Sequence, residues 1–240
     1  MEIIDANTIF GVWPKREMDV SIERLLTIMK ENKVAKSLSV SIKGILYDYG
    51  EGNAETLKIS KNCSRVIPVA TCDLRKYYGK KGFVKKVVES GFKALRLFPD
   101  LQGWPINYEP FYDLWDEMQS FASIPLIITA AGSGFITALS KLSNNGKVAV
   151  IINSVAYDLF AEALAVLKKH ACFYLDTAFI DTPDGHEIFA REIGADRLVF
   201  GSYSPMNYFR SSFANLERAN LKDEEKLLIA SGNIKRMLGV

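Results

Sequence analysis

Eight short runs rich in Val, Ile and Leu, each followed by a longer stretch of helical period, repeat along the 240 residues of this chain. Such alternation builds parallel strands, because a parallel neighbour is reached only by a crossover, which is usually a helix. The predicted strands are Ile3 to Asp5, Ser37 to Val40, Val66 to Thr71 and Ala94 to Phe98, then Leu126 to Thr129, Val148 to Ile152, Ala171 to Asp176 and Leu198 to Gly201. Eight units in a chain of this length predict one closed (β/α)8 TIM barrel, a single α/β domain over residues 1–240. Between strands, Asp19 to Asn32 sets Val20, Leu25, Leu26, Ile28 and Met29 against Glu23, Arg24, Lys30 and Glu31, a one-sided helical pattern. Gly82 to Ser90 and Tyr157 to His170 read the same way, and Asn233 to Leu238 is expected to finish the outer ring.

An open doubly wound sheet shares this alternation, but its dinucleotide fingerprint is missing. Gly132-Ser133-Gly134 follows a strand, yet Thr137 stands at the third glycine place. That turn reads as a tight loop, with an anion held at the following helix N-terminus as the minority reading. Hydrophobic residues make up 48% and charges 24%, with a net of +2, so a large core is available and no nucleic-acid partner is implied. The longest apolar run, Ile124 to Ala131, is too short to span a bilayer, and the start of the sequence has no secretory pattern. Cys63, Cys72 and Cys172 are odd in number and lack CxxC spacing, which suits reduced thiols and a cytoplasmic protein.

The first strand region reads Asp5-Ala6-Asn7-Thr8-Ile9-Phe10-Gly11, and the last Gly194-Ala195-Asp196-Arg197-Leu198-Val199-Phe200-Gly201-Ser202-Tyr203-Ser204-Pro205. Both resemble the amidohydrolase-related barrels, whose first strand ends Asp-Ala-His-x-His-x-x-Gly and whose eighth reads Gly-x-Asp-Arg-x-x-Phe-Gly-Ser-Asp-x-Pro. Gly91 to Pro99 and Ile67 to Ala70 extend the resemblance over most of the chain. It implies a metal-dependent hydrolase scaffold, with ligand places at Asn7, Ile9, Thr129, Asn153 and Tyr203. None of these is His, Cys, Asp or Glu, so neither a family-type metal centre nor any other cofactor is expected. The start through Trp13-Pro14 looks closest to a branch beginning Asp-x-Asn-x-x-x-Gly-x-Trp-Pro.

Barrel enzymes work at the C-terminal ends of their strands. Arg96, between Leu95 and Leu97, should face the opposite way from them, where a guanidinium could grip an anionic ligand or pair with Asp176 or Asp73. Asp176 ends an apolar strand and is the best candidate base, with acceptance of loop N–H bonds as the alternative. Asn7, Thr129, Asn153 and Tyr203 would form the hydrogen-bonding wall, and Tyr203 could equally fill space. His170 reads as a helix C-terminal residue, and His186, at a helix start in the seventh loop, as a solvated residue with reach to the mouth as the minority reading. These readings give a barrel that binds a small polar, anionic organic ligand at its mouth, with metal-independent hydrolysis or lactone opening if it catalyses. The alternative is a silent pseudoenzyme whose mouth is plugged by Tyr203, Phe98 and Trp104. Self-association into a homo-oligomer is expected in either case, with Trp104 and Trp115 available to an interface or buried in the wall.

Overall fold

The computed structural model describes residues 1–77, 82–121, 124–142 and 146–239. Its elements run β1 Ile3–Phe10, α1 Ile22–Glu31, β2 Val34–Ser41, α2 Ile42–Leu46, α3 Tyr49–Asn62, β3 Val66–Thr71, α4 Phe83–Glu89, β4 Ala94–Leu97, α5 Pro99–Gln102 and α6 Glu109–Phe121. They continue with β5 Leu126–Thr129, α7 Phe135–Leu142, β6 Val150–Asn153, α8 Phe160–Lys169, β7 Phe173–Asp176, α9 Gly185–Ile193, β8 Leu198–Val199, α10 Phe209–Arg218, α11 Asp223–Leu227 and α12 Asn233–Leu238. The eight strands form one parallel sheet in sequence order. It closes into a barrel where Ala6 N–H donates to the Phe200 carbonyl at 2.8 Å and Ile9 N–H to the Ser204 carbonyl at 3.1 Å. No helix among the described residues is long and apolar enough to cross a membrane.

Strand alternation sorts the core into two layers. Leu95, Leu97, Leu126, Ile128, Val150, Ile152, Leu175 and Leu198 turn outward onto the helices, where α1, for instance, buries Leu25, Ile28 and Met29 from one stripe. Ile4, Leu38, Val69, Ala94, Ile127, Ile151 and Val199 turn inward and fill the lumen. Two residues further along their strands, Thr71, Arg96, Thr129, Asn153 and Gly201 take the same inward phase at the C-terminal end, as does Asp176 two residues after inward Tyr174.

The first strand is longer than expected and irregular. Asp5 pairs with Ser37 and Thr8 with Ser39, so β1 carries one extra residue between those pairs. This bulge resets the alternation, and it lets Asn7 follow inward Ala6 and still reach the lumen. Strand β8 is shorter than the Leu198 to Gly201 expectation, because Phe200 N–H bonds to Ile229 O rather than to a strand.

The Gly132-Ser133-Gly134 turn carries an internal anion. Both carboxylate oxygens of Glu162 on α8 accept backbone bonds at the start of α7, from Gly134 N–H at 2.8 Å and Thr137 N–H at 2.7 Å. Desolvation pushes the Glu162 carboxyl up, yet these donors hold it below its ordinary range. The helix N-terminus is thus capped by a neighbouring helix rather than left for a ligand. Glu162→Ala should therefore lower stability by about 1 kcal/mol and the melting temperature by about 2–4 °C, read by thermal denaturation, with no effect at the barrel mouth.

Candidate active site

Arg96 has the inward phase near the C-terminal end of β4 and is 2% exposed. Its Nη2 donates to Asn7 Oδ1 at 2.7 Å, and its Nη1 reaches the Thr8 carbonyl at 3.5 Å. Its guanidinium carbon sits 4.6 Å from the Phe98 ring centroid and 5.9 Å from that of Tyr203, so two aromatic rings flank the cation. Burial pulls the guanidinium pKa down, and the negative forms of Tyr203, Asp176, Asp100 and Asp5 oppose that pull. Asp73, one of the two expected partners, turns away to bind Arg75 through both oxygens, each at 2.9 Å.

Asp176 is fully buried. Its Oδ1 accepts from Ala178 N–H at 2.6 Å, which realises the loop-bonding alternative, while Oδ2 has no hydrogen-bond partner. Burial raises its pKa to about 6, opposed by the Ala178 amide, Arg96 and the Asn7 amide. The Asn7 amide lies close enough to favour the Asp176 carboxylate as a donor, although its Nδ2 makes no bond of good geometry. This packing needs Gly201: a Cβ there would run into Asp176 Oδ2 and come within 2.8 Å of Asn7 Cβ.

The structure adds Asp5, which the sequence reading leaves out of the site. Asp5 Oδ1 accepts from Asn7 N–H at 3.1 Å and Ser202 N–H at 3.0 Å, and Oδ2 accepts from the Ser202 hydroxyl at 2.5 Å. It staples β8 to β1 behind Asn7. Burial raises its pKa to about 7, against the Ser202 and Asn7 bonds, with a further push from Asp176. The sequence signal was a carboxylate directly after Ile3-Ile4 in a strand.

Thr129 and Asn153 are register partners on β5 and β6, with Thr129 5% exposed and Asn153 fully buried. Both polar atoms of the Asn153 amide lack a partner. Asn7 Nδ2, Arg96 Nε, Thr71 Oγ1 and Asp176 Oδ2 share that condition, so most of the unpartnered buried side-chain atoms among the described residues lie on the inward-phased strand ends, the others being on Gln119, Thr182 and His186. Thr71 joins this group without having been singled out from the sequence, although it continues the inward series Ile67, Val69. Tyr203 is half-buried over the cation, packs 5.6 Å from the Phe179 ring, and holds a left-handed backbone with φ of 57°. That conformation costs a bulky residue on the order of 1–3 kcal/mol.

Other expectations meet the structure less directly. Trp104 does not plug the mouth: it is buried against the helices, stacked 5.7 Å from Phe111, and its Nε1 donates to Gln102 Oε1 at 3.0 Å. Trp115 is likewise buried, donating to the Leu142 carbonyl, so both tryptophans belong to the wall. His186 is 4% exposed rather than solvated, because the first turn of α9 tucks inward, and burial lowers its pKa to about 4. His170 closes α8 as expected. Two cavities, of about 350 Å³ at the strand N-terminal end and about 230 Å³ beside α9 and α10, are lined by none of the mouth residues.

The family metal does not fit these residues. Ile9 is buried in the inner apolar cluster, Asn7 Oδ1 is engaged by Arg96, Asp5 is occupied by Ser202 and the Asn7 backbone, and the Arg96 charge already acts on Asp176. Among the described residues no three His, Cys, Asp or Glu side chains converge to hold a metal ion.

No family model matches the chain, and no curated protein matches it. Its structural neighbours are amidohydrolase-superfamily TIM barrels. A 2,6-dihydroxybenzoate decarboxylase from Rhizobium superposes with a TM-score of 0.78 at 11% identity, covering 99% of this chain and 98% of that one. A protein designated probable 2-pyrone-4,6-dicarboxylic acid hydrolase from Acinetobacter baumannii, with citric acid bound, gives 0.75 at 14% identity and full coverage of both. A Staphylococcus aureus protein provisionally assigned to the amidohydrolases gives 0.77 at 14%, again over both whole chains. At these identities the likeness establishes the fold.

Both raised carboxyls titrate above their unfolded value of about 3.9. Between pH 4 and 7 the folded protein therefore keeps protons that the unfolded chain has released, and these two groups make stability fall as pH rises through that window. Urea unfolding at pH 5 and pH 8 should show a larger loss for wild type than for Asp176→Asn; parallel losses would exclude a raised Asp176.

Proposed function

We propose that this chain is an amidohydrolase-related barrel that works without that family's metal centre and binds a small organic anion at the strand C-terminal mouth. The observation carrying this reading is the gathering there of buried polar atoms without partners, on Asn7, Thr71, Arg96, Asn153 and Asp176. Each such atom costs about 1–3 kcal/mol when left unpaired, and a polar ligand relieves that cost at several positions together. Arg96 supplies the charge, and its guanidinium offers a fork for a carboxylate once Tyr203 swings aside. Phe98 and Tyr203 flank the cation, an arrangement suited to a flat, conjugated acid. The compounds named for two neighbours, 2,6-dihydroxybenzoate and 2-pyrone-4,6-dicarboxylic acid, are of that kind. Thr129 and Asn153 complete the wall. Where catalysis occurs, Asp176 is the proton-holding group, since a carboxyl near pKa 6 can both accept and return a proton near neutrality. Hydrolysis or opening of a lactone fits that single acid–base group.

A second reading, a silent scaffold, is favoured by the burial of Arg96 beneath Tyr203 and Phe98, which leaves the mouth closed. The two readings part in a thermal-shift panel of 2,6-dihydroxybenzoate, 2-pyrone-4,6-dicarboxylate, citrate and zinc on wild type, Arg96→Met and Tyr203→Ala. Ligand at 100 times its dissociation constant should raise the melting temperature by about 5–10 °C in wild type and at least as much in Tyr203→Ala, with no rise in Arg96→Met. No organic shift in either wild type or Tyr203→Ala would leave the silent scaffold. A zinc shift of similar size would overturn the metal-free reading.

A further inference from the structure

The cavity of about 350 Å³ lies at the end of the barrel away from Arg96 and Asp176, where the segments entering β5 and β6 meet α12. Tyr174, an inward residue of β7, reaches it from the lumen, while Asp176 two residues on faces the mouth. The Tyr174 ring is backed by the Arg197 guanidinium, 5.6 Å from its centroid. Ile124, Pro125 and Met237 add an apolar wall; among the described residues Lys147 and Arg236 are the charged side chains that line it, and no acidic residue does.

Arg236 is pre-positioned. Its Nη2 donates to the Asp196 carbonyl at 3.1 Å and to Asn233 Oδ1 at 3.2 Å. Asn233, 1% exposed, is itself pinned by two bonds from its Nδ2, to the Ala195 carbonyl at 2.8 Å and the Leu198 carbonyl at 2.7 Å. Among the described residues neither Lys147 nor Arg236 is paired with a carboxylate. A concave site with cations of one sign over low-dielectric walls concentrates anions, and its volume falls within the range of small-molecule sites.

We propose that this cavity is a second ligand site, for a small organic anion whose charged group lies between Lys147 and Arg236 and whose flat apolar body lies against Tyr174 and Met237. It is independent of the mouth and of any reaction there.

Benzoate, with benzamide as its uncharged counterpart, tests this by NMR on protein labelled at the methionine methyls. Met237 lines the cavity, whereas Met18 and Met206 do not, and Met206 follows Tyr203 by three residues in the loop after β8. Benzoate should shift Met237 saturably at millimolar concentration, with benzamide at least tenfold weaker, and Lys147→Gln/Arg236→Gln should weaken benzoate at least tenfold. The same Met237 response is expected in Arg96→Met, so failure of the mouth reading leaves this one standing. An unmoved Met237, or a shift that survives in the double variant or is matched by benzamide, overturns the proposal.

Discussion

A guanidinium sealed inside the lumen of a barrel is the constraint on which the rest of the site depends. A charge there is tolerated only with close compensation, and the chain provides it from three strands. The β1 bulge turns Asn7 inward to accept from Arg96, β7 ends on Asp176, and Gly201 leaves the room that lets Asp176 and Asn7 lie together. Asp5 then fixes the Asn7 backbone and the seam between β8 and β1. Even so, compensation is incomplete. Arg96 Nε, Asn7 Nδ2 and Asp176 Oδ2 remain without partners in a core where structural polar groups are normally paired.

Much of this was legible in the sequence because it follows from period. The strand alternation gave the barrel, β3 and β5 were read to the residue, and the inward phase of Arg96 followed from apolar Leu95 and Leu97 on either side. The C-terminal position of Asp176, Asn153 and Thr129 came from the same rule. What escaped depends on irregular or non-local geometry. The bulge cannot be read from Asp5-Ala6-Asn7-Thr8, since either phase of β1 buries apolar side chains, and so the role of Asp5 at the seam was hidden. Asp73 looked as able as Asp176 to meet Arg96 until Arg75, two residues along, claimed both of its oxygens. His186 looked solvated because a loop reading carries no information on how the first turn of α9 packs.

The resemblance at the first and eighth strands and the structural neighbours agree on a scaffold used by hydrolases and decarboxylases. The chemistry of the ligand places differs. Apolar Ile9, a neutral amide at Asn7 and a phenol at Tyr203 stand in those places, and the buried Arg96 guanidinium donates to Asn7 and lies near the Tyr203 ring. Under the proposed function Arg96 would orient an anion without activating water, and the acid–base work would fall to a carboxyl of raised pKa.

The central claim is that Arg96 and Asp176 are kept for ligand binding rather than for stability, and the unfolding free energy of the Arg96→Met/Asp176→Asn double variant tests it most directly. Replacing two buried, incompletely satisfied charged groups by neutral ones of similar size should leave the barrel as stable as wild type at pH 8, or more stable by about 1–4 kcal/mol. A loss of about 3 kcal/mol or more would mean that these two residues hold the barrel together, and the account of the mouth as a ligand site would lose its foundation.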